Sequence, residues 1–280
     1  MKKIILVFTS LVVASVADAQ NIPTGLTGLW RFQDSGNLGA ATIGNSITFS
    51  NAPYGAQLLG PWTDIGVPAA PTVYSDGYVF QESSYNYLSV NPGFSANGGG
   101  SYVNQYTIAF DYVQTSGLDT WNSLYQTSYN GNASDGDLFT DGAGTGTAVH
   151  IGIGAVGYST LTYDASTWHR IVLSVDNGSF FRVYVDGTLF LDGAGQGVDG
   201  RFSLYPDKVN LFADDSWEDQ WGLVGTIMTF DHALTAEDIA AMGGWIDGAS
   251  TPTPLIAPEP AAFSLAVLGA LVFLLKRGRQ

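Results

Sequence analysis

Thr167-Trp168-His169-Arg170-Ile171-Val172-Leu173-Ser174-Val175-Asp176 and Phe181-Arg182-Val183-Tyr184-Val185-Asp186-Gly187-Thr188-Leu189-Phe190-Leu191 are the two runs that decide the fold. In the first, Ile171, Leu173 and Val175 fall on one face. Arg170, Val172 and Ser174 fall on the other, which is the period of two that a strand requires. The second run is broken by Asp186-Gly187. Asp-Gly between alternating segments signals a two-residue type I′ hairpin, because both central residues need positive φ.

The same alternation recurs outward from there. In Tyr106–Val113, Ile108, Phe110 and Tyr112 share a face opposite Thr107, Ala109 and Asp111. Further strands are expected at 28–32, 87–90, 123–126, 149–153, 209–212 and 223–230. One helix is expected at 236–242. Thr235 caps it, Asp238 stands three residues later as in a capping box, and Gly243-Gly244 ends it. Ile239 and Met242 are expected to pack this helix against a sheet edge. Many strands and one short helix make the chain all-β. Asp outnumbers Glu 21 to 4, which fits a protein rich in turns.

The order of these pieces resembles the LamG-like, concanavalin A-like family. The opening Gly28-Leu29-Trp30-Arg31-Phe32, the tryptophan strand at Trp168, the Asp186-Gly187 hairpin and the closing Ala233-Leu234-Thr235-Ala236-Glu237-Asp238-Ile239 carry the resemblance. It covers most of residues 26–243. It implies an all-β fold, a two-sheet antiparallel jelly-roll sandwich, and a function in recognising glycans or proteins. Fold alone does not fix which.

The two ends read as addresses. Met1-Lys2-Lys3, an apolar run from Ile4 to Val13 and the small-x-small pattern Ala17-Asp18-Ala19 form a secretory signal peptide at 1–19. At the other end, Pro258-Glu259-Pro260 precedes fifteen apolar or small residues at 261–275 and then Lys276-Arg277. This tail, residues 258–280, resembles the PEP-CTERM sorting signal of Gram-negative bacteria. The resemblance implies processing by an exosortase-type enzyme and delivery to the cell surface or extracellular matrix. A hydrophobic helix of that length rises about 22 Å, short of the roughly 30 Å bilayer core. The two basic residues would extend its reach and keep their end cytoplasmic. Transient anchoring in the inner membrane and permanent anchoring there both remain open. Residues 248–257, with Thr251-Pro252-Thr253-Pro254, read as an extended linker after a single β domain at 20–247.

Removing the ends concentrates the charge. The whole chain carries −15. Residues 20–257 keep five of the ten basic and 23 of the 25 acidic residues, for −18. Nucleic acid is excluded as a partner, since phosphate neutralisation needs basic patches. The absence of cysteine excludes thiol chemistry and cysteine zinc sites. A chain of this length builds a core without disulfides.

Candidate sites follow from residue type. Asp214, Asp215, Glu218 and Asp219 lie within six residues and could share a calcium ion through hard oxygen ligands, or form a solvated acidic loop. Trp62, Trp121, Trp217 and Trp221 stand in loop contexts and are candidates for stacking on sugar rings, whereas Trp30 and Trp168 read as core. Glu82, Glu218 and Glu237 are the domain's glutamates, and none has the spacing of a strand-borne glycosidase pair. His150, His169 and His232 show no metal spacing. The expectation is an exported, non-enzymatic module that binds polysaccharide or a surface glycoprotein, with calcium as its one candidate cofactor. A structural matrix protein and, behind it, a glycan-active hydrolase or lyase are the alternatives.

Overall fold

The computed structural model describes residues 22–32, 37–49, 57–58, 79–81, 87–115, 117–127, 136–144, 146–212, 218 and 220–244. Ala17, Ala19, Trp62, Asp214, Asp215, Trp217, Asp219, the linker and the tail from Pro258 through Glu259 and Pro260 to residue 280 lie outside them. In chain order the strands are β1 (Leu26–Trp30), β2 (Thr48–Phe49), β3 (Gln57–Leu58), β4 (Val79–Gln81), β5 (Leu88–Val90), β6 (Gln105–Gln114), β7 (Asn122–Gln126) and β8 (Asp137–Gly142). There follow β9 (Ala148–Ile153), β10 (Gly157–Tyr158), β11 (Tyr163–Asp164), β12 (His169–Asp176), β13 (Phe180–Val185), β14 (Thr188–Ala194), β15 (Val209–Leu211) and β16 (Gly222–Phe230). Among the described residues the one helix is α1 (Ala236–Met242).

These strands form two antiparallel sheets of eight. The first runs β14-β13-β12-β6-β16-β4-β3, with β1 also on β16. The second runs β10-β9-β8-β7-β15-β5-β2, with β11 also on β9. Strands far apart in sequence lie side by side, as β6 does between β12 and β16, which is the crossed connectivity of a jelly-roll sandwich. The Asp186-Gly187 hairpin forms as the dipeptide demands, with φ of 50° and 78°.

The alternation read from the sequence sorts the faces. Ile108, Phe110, Tyr112, Ile171, Leu173 and Val175 point inward from the first sheet and meet Leu88, Val90, Leu124, Tyr125, Leu138, Val149, Ile151, Val209 and Leu211 from the second. Trp30 is fully buried among them, and Trp168 is buried beside His169. The opposite face of the first sheet is also apolar. Leu29, Ala109, Val172, Tyr184, Met228 and Phe230 are covered there by Leu234, Ile239 and Met242. The helix therefore lies on a sheet face and not against an edge, because Ala109, Val172 and Met228 leave an apolar stripe that only a helix face covers. Its capping box forms as expected, Thr235 and Asp238 each accepting the other's backbone N–H.

Three of the buried tyrosines, Tyr106, Tyr125 and Tyr163, carry strongly shifted phenols. The Tyr106 hydroxyl donates to the Phe202 carbonyl at 2.7 Å and accepts from the Tyr125 hydroxyl. Tyr163 is buried with its hydroxyl unpaired. Burial raises all three phenols well above the ordinary tyrosine value. The folded state therefore resists ionising them, while the unfolded chain ionises near pH ~10. Stability is fully present below that pH and falls as pH rises toward the folded values, by about 1.4 kcal/mol per unit for each tyrosine. Alkaline titration should show these three phenols ionising only together with unfolding. Smooth ionisation of every tyrosine in a still-folded protein would contradict the burial.

Candidate functional site: the outer face of the second sheet

One face of each sheet is in the core and the other face of the first sheet lies under α1; the outer face of the second sheet is fully buried at Asn210 and Gln126 and partly exposed at Trp121 and Tyr158. Its residues alternate with the core residues Val209, Leu211, Leu88, Val149 and Ile151. Thr48, Ser89, Asn210, Gln126 and Asp137 stand in register across five strands, a wholly polar row. Asn210 and Gln126 are fully buried, and all four of their amide atoms lack a protein partner. Buried amides are almost always paired, and each unpaired group costs about 1–3 kcal/mol. This row therefore retains hydrogen-bonding capacity that the fold does not use.

At the other end of β7 the face turns aromatic. Trp121 packs edge-on against Phe139 at 5.6 Å and against Tyr158 at 5.8 Å. Trp121 and Tyr158 remain 38% exposed each, while Phe139 beneath them is buried. Partial burial, then the charges of Asp141 and Glu218, raise the Tyr158 phenol above its ordinary value. Asp141 follows Phe139 by two residues on β8 and so shares its face of the sheet. Asp141 is paired in register with His150 on β9, and His150 keeps a buried, unpartnered Nδ1.

The chain reaches this arrangement through the segment entering β16. The Glu218 carbonyl accepts the Ser123 N–H at 2.6 Å, and the Gln220 N–H donates to Asn122 Oδ1 at 2.9 Å. These bonds clamp Glu218 and Gln220 to the start of β7. Of the site residues expected from sequence, the structure thus brings Trp121 and Glu218 to one place. Trp221 stands half-buried at the same rim, its carbonyl accepting the Thr115 N–H, one residue before β16 of the first sheet. Among the described residues no group of three or more acidic or histidine side chains could hold a metal. Glu218 is the one member of the acidic quartet among those residues.

Tyr158, Asp141 and Phe139 were not legible as site residues. Tyr158 sits in a two-residue strand, and Asp141-Gly142 reads as a turn. His169 serves the fold: Nδ1 meets Asp186 at 2.6 Å and Nε2 meets Thr167 at 2.9 Å and the Asp164 carbonyl at 2.8 Å.

The class defined by this geometry is a jelly-roll sandwich with one face closed by a helix and the other polar and aromatic. The chain is similar to domain 4 of the extracellular arabinanase AbnA from Geobacillus stearothermophilus, solved with arabinotriose. The TM-score is 0.50 at 15% identity, over 77% of this chain and 96% of that one. It is similar as well to a Trypanosoma rangeli sialidase solved as a covalent intermediate with 2,3-difluorosialic acid, with a TM-score of 0.52 at 15% identity over 79% of this chain and 33% of that one. A third likeness is to the botulinum neurotoxin serotype D binding domain, with a TM-score of 0.50 at 16% identity over 77% of this chain and 50% of that one. At these identities the likeness defines the fold alone. No protein-family model and no curated protein matches the sequence.

Proposed function

We propose that this is an exported, non-enzymatic LamG-like module that binds polysaccharide, or the glycan of a surface glycoprotein, on the outer face of its second sheet. The observation that carries this reading is the partly exposed pair Trp121 and Tyr158, packed over Phe139, with Asp141 two residues along β8 from Phe139 and the Glu218 backbone bonded to Ser123. A sugar ring has an apolar face for an aromatic side chain and hydroxyls for carboxylates and amides. Structures of a sandwich domain with arabinotriose and of a sialidase with a sialic acid derivative are in keeping with a sugar ligand. The signal peptide and the PEP-CTERM-like tail would place the module outside the cell. Asp214, Asp215, Glu218 and Asp219 would hold calcium beside it.

The test is binding of the full-length chain, in mild detergent, to soluble β-glucan, galactomannan, arabinan and the producing cell's own exopolysaccharide, with calcium and with chelator. Saturable binding to at least one of them is expected. Its loss in chelator would support calcium ordering, and its persistence would discard the metal and keep the glycan. No binding in any arm would favour a structural matrix role. Mass spectrometry of the surface-released protein should show residues 1–19 and the hydrophobic tail removed.

One observation favours a second reading. The charges of Asp141 and Glu218 both raise the Tyr158 phenol, so both are felt at one ring. A hydrolase would use such a pair. New reducing ends appearing in the same incubation would establish that reading and overturn the non-enzymatic one.

A further inference from the structure

A second cleft lies at the opposite end of β7. It has a volume of about 220 Å³ and is lined by Tyr102, Thr127, Asp199, Arg201, Ser203 and Tyr205, with Gly200 at its base. Thr127 directly follows β7 and Trp121 directly precedes it. Six residues at about 3.3 Å each place the two roughly 20 Å apart.

The cleft is rigidly built. Asp199 holds a left-handed backbone at φ 55°. Its carboxylate accepts the N–H of Ser101 at 2.7 Å, the N–H of Tyr102 at 3.0 Å and Asn104 Nδ2 at 2.9 Å. These bonds tie the loop before β6 to the segment before β15. Val103 and Leu204 bridge the same two segments. On the far wall, the Thr127 hydroxyl donates to the Arg201 carbonyl at 2.8 Å and accepts the Gly136 N–H at 2.7 Å. A wall fixed before binding loses little conformational entropy on binding.

Its lining points to one ligand class. Tyr102 and Tyr205 meet edge to face at 5.3 Å, yet stay 37% and 50% exposed. Two exposed rings beside hydroxyls and one ionised carboxylate suit a hydroxylated ring with an apolar face. The volume is below the roughly 300–1,000 Å³ of pockets for drug-sized ligands, which limits the occupant to about one sugar unit. Among the described lining residues Arg201 is the one cation and Asp199 the one carboxylate, which does not make a phosphate cradle.

We propose that the Tyr102–Tyr205 cleft is a second saccharide site, so that one chain engages polysaccharide at both ends of β7 and can cross-link two polymer strands. This rests on the glycan-binding reading above. Two sites on one body also raise avidity for a polymer without any new contact.

The experiment titrates the full-length chain in mild detergent with hexasaccharides of β-glucan, galactomannan and arabinan, and measures turbidity with the parent polymers. Wild type should bind two hexasaccharides per chain and cloud the polymer solution. Tyr205→Ala should bind one and lose the turbidity, while Tyr205→Phe keeps both. Trp121→Ala should also retain one bound sugar, now held by the cleft. A wild-type stoichiometry of one, unchanged by Tyr205→Ala and abolished by Trp121→Ala, would overturn the second site and leave the first. Loss through Tyr205→Ala with no effect of Trp121→Ala would leave the cleft and remove the β7 aromatic pair. No saccharide bound by wild type would overturn both.

Discussion

Arg170→Met should destabilise the protein by about 3–5 kcal/mol, the cost of stranding a buried charge. Arg170 Nε donates to Asp111 Oδ1 at 2.8 Å, Nη2 to Asp111 Oδ2 at 3.0 Å and Nη1 to the Met242 carbonyl at 2.7 Å. The two side chains are 0% and 1% exposed. Methionine fills similar space but leaves the Asp111 carboxylate inside without its fork of donors, and it frees the last turn of α1. The effect amounts to a fifth or more of the roughly 5–15 kcal/mol by which domains are stable. The double variant Asp111→Leu with Arg170→Met should recover most of the loss, because it removes both charges together. Urea denaturation of the three proteins measures this. A single variant within about 1 kcal/mol of wild type would mean that the ion pair is not sealed under the helix.

The second large effect concerns binding. Trp121→Ala should weaken the affinity of the outer-face site for its polysaccharide about 10- to 100-fold, equivalent to about 1.4–2.8 kcal/mol. Truncation removes the larger ring of the exposed pair, which stands against Tyr158 and Phe139, and leaves the tyrosine alone to stack on a sugar. Because Trp121 is 38% exposed and precedes β7, the melting temperature should move little. Leu189, 40% exposed on β14 of the other sheet, provides a control, and Leu189→Ala should bind as wild type does. Calorimetry against the polysaccharide found in the binding panel reads the change. Equal affinities for Trp121→Ala and wild type would move the site away from this face.

Much of the fold was legible because strand alternation is local. The long central strands β6, β12, β13 and β16 were readable to within one or two residues, and α1 carries its own start and stop signals. Strand β8 was missed because Asp137 and Asp141-Gly142 look like turn residues at both of its ends. Strands of two residues, such as β2, β10 and β11, carry too little pattern to be seen, whereas the three-residue β5 and β15 were read. The helix was placed against an edge because nothing local reveals that Ala109, Val172 and Met228 share an apolar outer face.

The candidate site divides in the same way. Residue type alone singled out Trp121 and Glu218, since an indole in a loop and a dense acidic run stand out in any sequence. Their meeting depended on two bonds across roughly one hundred residues, from Ser123 to Glu218 and from Gln220 to Asn122. Tyr158 and Asp141 entered the site only because β8, β9 and β10 lie side by side. The sequence by itself determined an all-β chain, its acidic character and the inward face of its main strands, because alternation and charge are properties of neighbouring residues. The tertiary structure alone decided which sheet face is sealed and which carries aromatic and unpaired polar groups. That choice depends on where α1 docks and on pairings between strands distant in the chain, and no local pattern encodes it.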